Sequence, residues 1–162
     1  GTGDVTAIWQ AFADEFAWVA GVAGNHDMFG DSHDRVPRLT ECCHYLDGES
    51  VNIGGSLIAG IGGIVGNPRR PRRRSQDDYL AALDSLLQRK PEVVLMHDGP
   101  DADGPSFRFR GSAAIREMIE RHGPRLVVRG HAHWSQPLVE LARGVQVLNV
   151  DARVVILSQK SR

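Results

Sequence analysis

The sequence has little cysteine, few aromatic residues and no long apolar run. Its two cysteines, Cys42 and Cys43, are adjacent, and neighbouring cysteines rarely form a relaxed disulfide. We therefore expect two reduced thiols and, because no signal peptide opens the chain, a cytoplasmic protein. No apolar stretch approaches the roughly 20 residues that cross a bilayer, so a membrane-spanning helix is not expected.

An excess of charge of one sign is also lacking, since the net charge is −1 with 24% charged residues. This balance gives no global electrostatic reason to expect nucleic acid or an anionic membrane as a partner. Hydrophobic residues make up 41% of the chain, a globular composition that argues against disorder. The length of 162 residues suits one domain, which we expect to cover residues 1–162.

Short apolar runs alternate with segments of helical periodicity, and this pattern predicts an α/β fold. We expect one helix over 6–18, a second that begins after Ser75 and ends at Pro91, and a third between Ser112 and Gly123. Strand-like runs cover residues 19–23, 45–46, 51–53, 57–61, 93–96, 126–128, 138–141, 145–150 and 154–157.

Three polar clusters each follow one of these strand-like runs. They are Gly24-Asn25-His26-Asp27, His97-Asp98 and Gly130-His131-Ala132-His133. In open α/β sheets, ligands bind outside the carboxyl ends of the strands, so we expect the three clusters to converge there. Imidazole nitrogens combined with amide and carboxylate oxygens, without thiolate, indicate a catalytic metal site. The isolated His44 and His122 are expected to have no such role.

In order and context, the clusters resemble the third, fourth and fifth signature blocks of the calcineurin-like metallophosphoesterases. The resemblance implies an α/β fold in which a β-sandwich is flanked by helices and carries a dinuclear metal site at the sheet edge. It also implies that Asn25, His97 and His131 bind one metal ion and that His133 binds the other. Manganese, iron, nickel and zinc all suit such ligands.

The same resemblance implies a catalytic role for His26 and Asp27. His26 would protonate the leaving group or stabilise the charge that develops on the phosphoryl group, and Asp27 would orient His26. The implied reaction is hydrolysis of a phosphomonoester or phosphodiester by a metal-bound hydroxide. The expected substrate is a small phosphoester or a nucleotide.

The beginning of the chain departs from the family pattern. The family starts with a strand that ends in Asp-x-His, and this sequence has no Asp-x-His before residue 24. Gly3-Asp4 precedes Asn25 at a spacing that allows a helix and a strand, which leaves Asp4 as a metal ligand or, as we favour, a helix cap. We expect the first β-α-β portion to be missing and the domain to be N-terminally incomplete.

Such a loss leaves an edge of unpaired backbone amides. Three explanations stay open: a piece of a longer enzyme, a second copy of the chain that completes the sheet edge, or a catalytically impaired relative that acts as a binding module. The binding module predicts an exposed apolar patch that a partner covers, and no metal-dependent turnover.

Two arginine-rich segments have open interpretations. Five arginines between Arg69 and Arg74 form a basic loop that either recruits a phosphate-rich substrate or nucleic acid, or is a mobile solvated loop. Arg108 and Arg110, interleaved with Phe107 and Phe109, either line a substrate cleft or belong to a loop that is anchored in the core.

Overall fold

The computed structural model describes residues 3–32, 40–103 and 111–158. Within these ranges the helices are α1 (Thr6–Glu15), α2 (Gln76–Leu87) and α3 (Ala113–His122). The strands are β1 (Gly3–Asp4), β2 (Val19–Gly21), β3 (Asp27–Met28), β4 (Cys43–Tyr45), β5 (Glu49–Ile53), β6 (Ser56–Ile61), β7 (Ile64–Val65), β8 (Arg73–Arg74), β9 (Val93–Met96), β10 (Leu126–Arg129), β11 (Leu138–Glu140) and β12 (Gln146–Asn149).

A six-stranded sheet in the order β11-β12-β10-β9-β6-β5 forms the centre of the structure. Strands β6, β9, β10 and β12 run parallel, while the two outer strands, β5 and β11, are antiparallel to their neighbours. The shorter strands pair in parallel as β1 with β3, β2 with β4, and β7 with β8. Because the four parallel strands end at one edge, the segments that follow them meet there.

Helices α2 and α3 pack against each other and cover one face of the sheet. Their beginnings follow the caps expected from the sequence, since Ser75 Oγ accepts a hydrogen bond from the Asp78 backbone and Ser112 Oγ accepts one from Ile115. Gly123 ends α3 with a left-handed φ of 67°. The core between the helices and the sheet contains Ala59, Ile61, Tyr79, Leu83, Leu86, Leu87, Val94, Met96, Ile115, Ile119, Val127 and Val147.

The α/β fold predicted from the sequence is confirmed, and two element predictions are wrong. The first helix ends at Glu15 rather than residue 18, because Phe16 adopts an extended backbone. Residues 154–157 are not a strand in the described part of the chain, and Val154, Ile156 and Leu157 are exposed. A strand needs a neighbour for its backbone hydrogen bonds, and the apolar sequence pattern alone does not supply one. None of the helices in the described ranges has the length and apolar composition to cross a membrane.

The interpretation of the basic loop as mobile and solvated is wrong for Arg72 and Arg74. Nε of Arg72 donates to the Asp27 carbonyl at 3.0 Å, and its Nη1 donates to the Tyr45 hydroxyl at 2.6 Å. Arg74 pairs with the Asp47 carboxylate at 2.9 Å and donates to the Gly62 carbonyl. These partners hold the segment as strand β8, whereas Arg69 and Arg70 stay exposed. Phe107, Arg108, Phe109 and Arg110 lie outside the described residues.

Candidate metal centre

Three of the predicted ligands meet where β9 and β10 end. The amide Oδ1 of Asn25 lies 3.0 Å from Nε2 of His97, and the ring centroids of His97 and His131 are 5.0 Å apart. Asn25 follows β2 in the chain and is only 5% exposed, while His97 is half-buried. The structure therefore brings together Asn25, His97 and His131, as the sequence predicts.

Glycine at position 24 permits this close approach. A Cβ atom at Gly24 would lie 2.8 Å from Cε1 of His97, which is too close for any side chain. The Asp27 carboxylate accepts a hydrogen bond from the Gly24 backbone at 2.7 Å, and Gly63 donates to the Ala23 carbonyl at 2.9 Å. These contacts fix the turn that carries Asn25 against the His97 ring.

A buried arginine supports the loop that carries His131. His131 has a φ of 66°, a left-handed conformation that is uncommon for residues other than glycine. The fully buried Arg129 donates from Nε and Nη2 to the Gly130 carbonyl at 3.0 and 2.8 Å, and from Nη1 to the Pro100 carbonyl. Its guanidinium also lies 4.9 Å from the ring centre of the buried Trp134. The surrounding structure thus maintains an unfavourable backbone conformation at the candidate site.

A second support comes from the end of β12. Asn149 is fully buried and donates from Nδ2 to the Ala132 carbonyl at 2.6 Å. The sequence analysis did not identify Arg129, Trp134 or Asn149 as residues of the site. The only local signal is a polar residue at the end of an apolar run, as with Arg129 after Leu126–Val128 and Asn149 after Val147–Leu148.

The two imidazoles of the cluster are held in the neutral form. Burial, followed by the nearby His131, lowers the pKa of His97 to about 4. Partial burial also lowers the pKa of His131. Metal ligation requires the neutral imidazole, so the electrostatic environment of both rings favours the form that binds a metal ion.

The cluster fits a divalent ion with one amide oxygen and two imidazole nitrogens. Donor atoms that bind one ion at about 2.1 Å each lie roughly 3 to 3.5 Å apart, and the 3.0 Å between Asn25 Oδ1 and His97 Nε2 agrees with this spacing. Within the described ranges, no three His, Cys, Asp or Glu side chains form a metal-binding group, so the amide of Asn25 is the third donor. Manganese, iron, nickel and zinc accept such mixed donors.

The two predicted catalytic residues lie beside this cluster. His26 is exposed, and it is close enough to His131 to contribute to the lowering of that residue's pKa. The carboxylate of Asp27 binds the Gly24 backbone, as described above, and is close enough to His97 to favour its charged form. The orientation of His26 by Asp27 stays a prediction.

His133 and Asp4 make other contacts. His133 is exposed, with Nδ1 3.5 Å from Oδ2 of Asp151 and Nε2 3.1 Å from Nη2 of Arg153, and its role as a metal ligand stays a prediction. Asp4 lies in strand β1 and accepts hydrogen bonds from the Thr6 backbone at 2.9 Å and from the Thr6 hydroxyl at 2.6 Å. These bonds satisfy the first turn of α1, which confirms the helix-cap interpretation, and they lower the pKa of Asp4.

Comparison with known proteins gives a family match and a fold match. The model of the calcineurin-like phosphoesterase family matches residues 1–135, a range that contains every candidate site residue and also Gly3-Asp4. Among the curated proteins, none matches the chain.

Two solved structures are similar to the chain in fold. One, whose title names no protein, has a TM-score of 0.69 at 15% identity and covers 91% of this chain and 62% of its own. The other is the crystal structure of TT1561 of Thermus thermophilus, with a TM-score of 0.53 at 22% identity, which covers 68% of this chain and 50% of its own. The chain therefore spans less than two thirds of either structure, and at these identities the likeness concerns the fold alone.

Proposed function

This chain belongs to the calcineurin-like phosphoesterase family, and we propose that it acts in the metal-dependent hydrolysis of a phosphomonoester or phosphodiester. The observation that carries the proposal is the contact of Asn25 with His97 at 3.0 Å beside His131. Buried amide and neutral imidazole groups that face each other at this distance are suited to hold a divalent ion. The proposed substrates are small phosphoesters and nucleotides.

Each residue of the site has a separate proposed task. Asn25, His97 and His131 would hold one divalent ion, for which we propose manganese as the first to test. A bound divalent ion lowers the pKa of water towards neutrality and stabilises negative charge on phosphoryl oxygens. His26 is exposed beside the cluster, where a substrate can reach it, and it would donate a proton to the leaving oxygen.

The fixed frame around the cluster limits what must move during the reaction. Gly24 keeps the Asn25 turn against His97, and Arg129 and Asn149 hold the loop of His131 and His133 from opposite ends. Groups that are positioned before the substrate arrives need no reorganisation when charge develops on the phosphoryl group. The frame therefore supports chemistry that depends on preset positions.

Metal binding tests the cluster directly. We expect isothermal titration with Mn²⁺ to detect binding to the wild-type chain and a loss of affinity of about 10-fold or more in His97→Ala, which removes one ligand of the cluster. His44→Ala removes a histidine of strand β4 and is the matched control, with unchanged Mn²⁺ affinity expected. Equal affinities in all three proteins would contradict the assignment of the ligands.

Turnover tests the role of His26. With Mn²⁺ present, we expect His26→Ala to lower kcat for a chromogenic phosphodiester or phosphomonoester by about 10²- to 10⁴-fold, since it removes the proton donor. The Mn²⁺ affinity of this variant should equal that of the wild type, which separates catalysis from metal binding. Unchanged kcat with both substrates would rule out His26 as the acid.

A binding module is the second candidate function, and one surface favours it. Helix α1 exposes Ile8, Phe12 and Phe16 on one stripe, with Trp18 beyond its end, and all four are about half exposed. Such a stripe is typical of a surface that a partner covers, including a second copy of the chain. Sedimentation of the wild type and of Phe12→Ser tests self-association, and a metal-dependent turnover that His26→Ala abolishes would exclude a purely structural role.

A further inference from the structure

His133 is bound from both sides by charged residues that follow β12. Its Nδ1 faces the Asp151 carboxylate at 3.5 Å, and its Nε2 lies 3.1 Å from Nη2 of Arg153. A guanidinium has only N–H donors, so Nε2 must accept this hydrogen bond. The neutral ring therefore carries its proton on Nδ1, where it faces Asp151, and the lone pair on Nε2 is used by Arg153.

Arg153 is held in this position by several other contacts. Its Nη1 donates to the carbonyl of Asn149 at 3.4 Å and to Oδ1 of the same residue at 3.3 Å, and its Nη2 also donates to the Trp134 carbonyl. Asn149 is fully buried and binds the Ala132 carbonyl at the same time. The guanidinium is thus attached to the frame that holds the loop of His133, and it is only partly exposed.

A metal ion at Nε2 of His133 needs the lone pair that Arg153 uses. One lone pair cannot bind an N–H group and a divalent ion at the same time, and the two positive charges would repel each other at this distance. In the cluster of Asn25, His97 and His131, by contrast, Nε2 of His97 faces the neutral amide of Asn25, and the two rings face each other. The two parts of the site therefore differ in what a metal ion must displace.

We propose that Arg153 and a metal ion compete for Nε2 of His133, so that the ion displaces the guanidinium when it binds there. The inference rests on the proposed function, because it concerns a second ion beside the first. It follows that the two ions bind in sequence. The Asn25, His97 and His131 cluster loads at low metal concentration, and His133 becomes a ligand only at a concentration that displaces Arg153.

The test is a Mn²⁺ titration of the whole chain, followed by calorimetry, in the wild type and in Arg153→Met. Methionine keeps an unbranched side chain but removes the charge and every donor. We expect the affinity of the tighter ion to stay the same and that of the weaker ion to rise by about 10- to 100-fold in the variant. The double variant His133→Gln, Arg153→Met should lose this gain, which assigns the weaker ion to His133.

The control variant is Arg143→Met, which removes an arginine whose guanidinium binds the carbonyls of Glu120 and Arg121 at the end of α3. Its two affinities should equal those of the wild type. If Arg153→Met binds the tighter ion normally and shows no gain for the weaker one, the competition is overturned while the proposed function stands. If neither protein binds Mn²⁺, the proposed function fails and the competition fails with it.

A second measurement does not depend on the folding of any variant. Long-range ¹H–¹⁵N spectra of the metal-free wild type distinguish the two neutral forms of each imidazole ring. We expect His133 to carry its proton on Nδ1, with Nε2 as the acceptor from Arg153. A proton on Nε2 would overturn the competition, because that nitrogen could not then accept from a guanidinium.

Discussion

Helices α1 and α3 have the same length of ten residues and both have an apolar stripe, but they lie in different surroundings. Helix α3 buries Ile115 and Ile119 completely between the sheet and α2. Helix α1 buries only Ala13, and its Ile8 and Phe12 are 57% and 50% exposed. The comparison teaches that an apolar stripe predicts where a helix forms, whereas its burial depends on which other elements lie beside it.

The largest expected difference between the two regions is in stability. Ile119→Ala should lower the free energy of unfolding by about 2 to 5 kcal/mol, because it leaves a cavity between α3 and the sheet. Phe12→Ala in α1 should cost no more than about 1 kcal/mol, mainly through the lost stacking on Phe16, whose ring centroid is 5.6 Å away.

Urea denaturation of the two variants and the wild type measures both values. Equal losses in the two variants would contradict the comparison, since they would mean that the stripe of α1 is as well covered in solution as that of α3. A larger loss in Phe12→Ala at high protein concentration alone would indicate that a second copy covers the stripe.

The next largest effect is expected where the two regions touch, at Gly24 and His97. Gly24→Ala places a Cβ atom 2.8 Å from the His97 ring, so the ring or the Asn25 turn must shift. We expect the Mn²⁺ affinity to fall by about 10- to 100-fold, as for other changes that displace the groups around metal ligands.

Gly3→Ala is the matched control, because a Cβ atom at Gly3 meets nothing within 4 Å. Titration calorimetry of both variants gives the two affinities, and circular dichroism confirms that each is folded. An unchanged affinity in Gly24→Ala would mean that the close approach of Gly24 and His97 is not needed for the site.

The better-covered region is also the one whose elements the sequence predicted best. Strand β9 has the predicted bounds of 93–96, because a β-branched apolar run lies between Pro91 and a polar cluster. Helices α2 and α3 begin after the predicted serine caps, because capping depends on residues only three positions apart. The meeting of Asn25, His97 and His131 was predictable since parallel strands end at one edge.

The remaining features depend on partners far away in the sequence. Arg74 binds Asp47, 27 positions earlier, and Arg72 binds Tyr45 and Asp27, so the basic segment becomes a strand instead of a solvated loop. Asn149 reaches Ala132, and no spacing rule connects these two residues. Residues 154–157 have the composition of a strand, but the described part of the chain places no strand beside them.

The smallest expected effect concerns acid pH and an ion pair on the surface of α3. A hydrogen bond from the guanidinium of Arg116, 2.9 Å away, lowers the pKa of Glu120. Because the folded pKa lies below the unfolded value of about 4.3, the contribution of Glu120 to stability is complete above that pH. It is lost as the pH falls through the lower, folded value.

We therefore expect Glu120→Gln to be less stable than the wild type at pH 7 and to approach it as the pH falls to about 3. Glu117→Gln, on the same helix and with a partner in the exposed Arg121, is the matched control. Urea denaturation at the two pH values measures the differences. A deficit in Glu120→Gln that persisted at low pH would show that the side chain acts through neutral hydrogen bonds to its surroundings, such as the one it accepts from the Ala142 backbone. In that case, the burial of Ile115 and Ile119 would distinguish α3 from α1, and the charges on its surface would not.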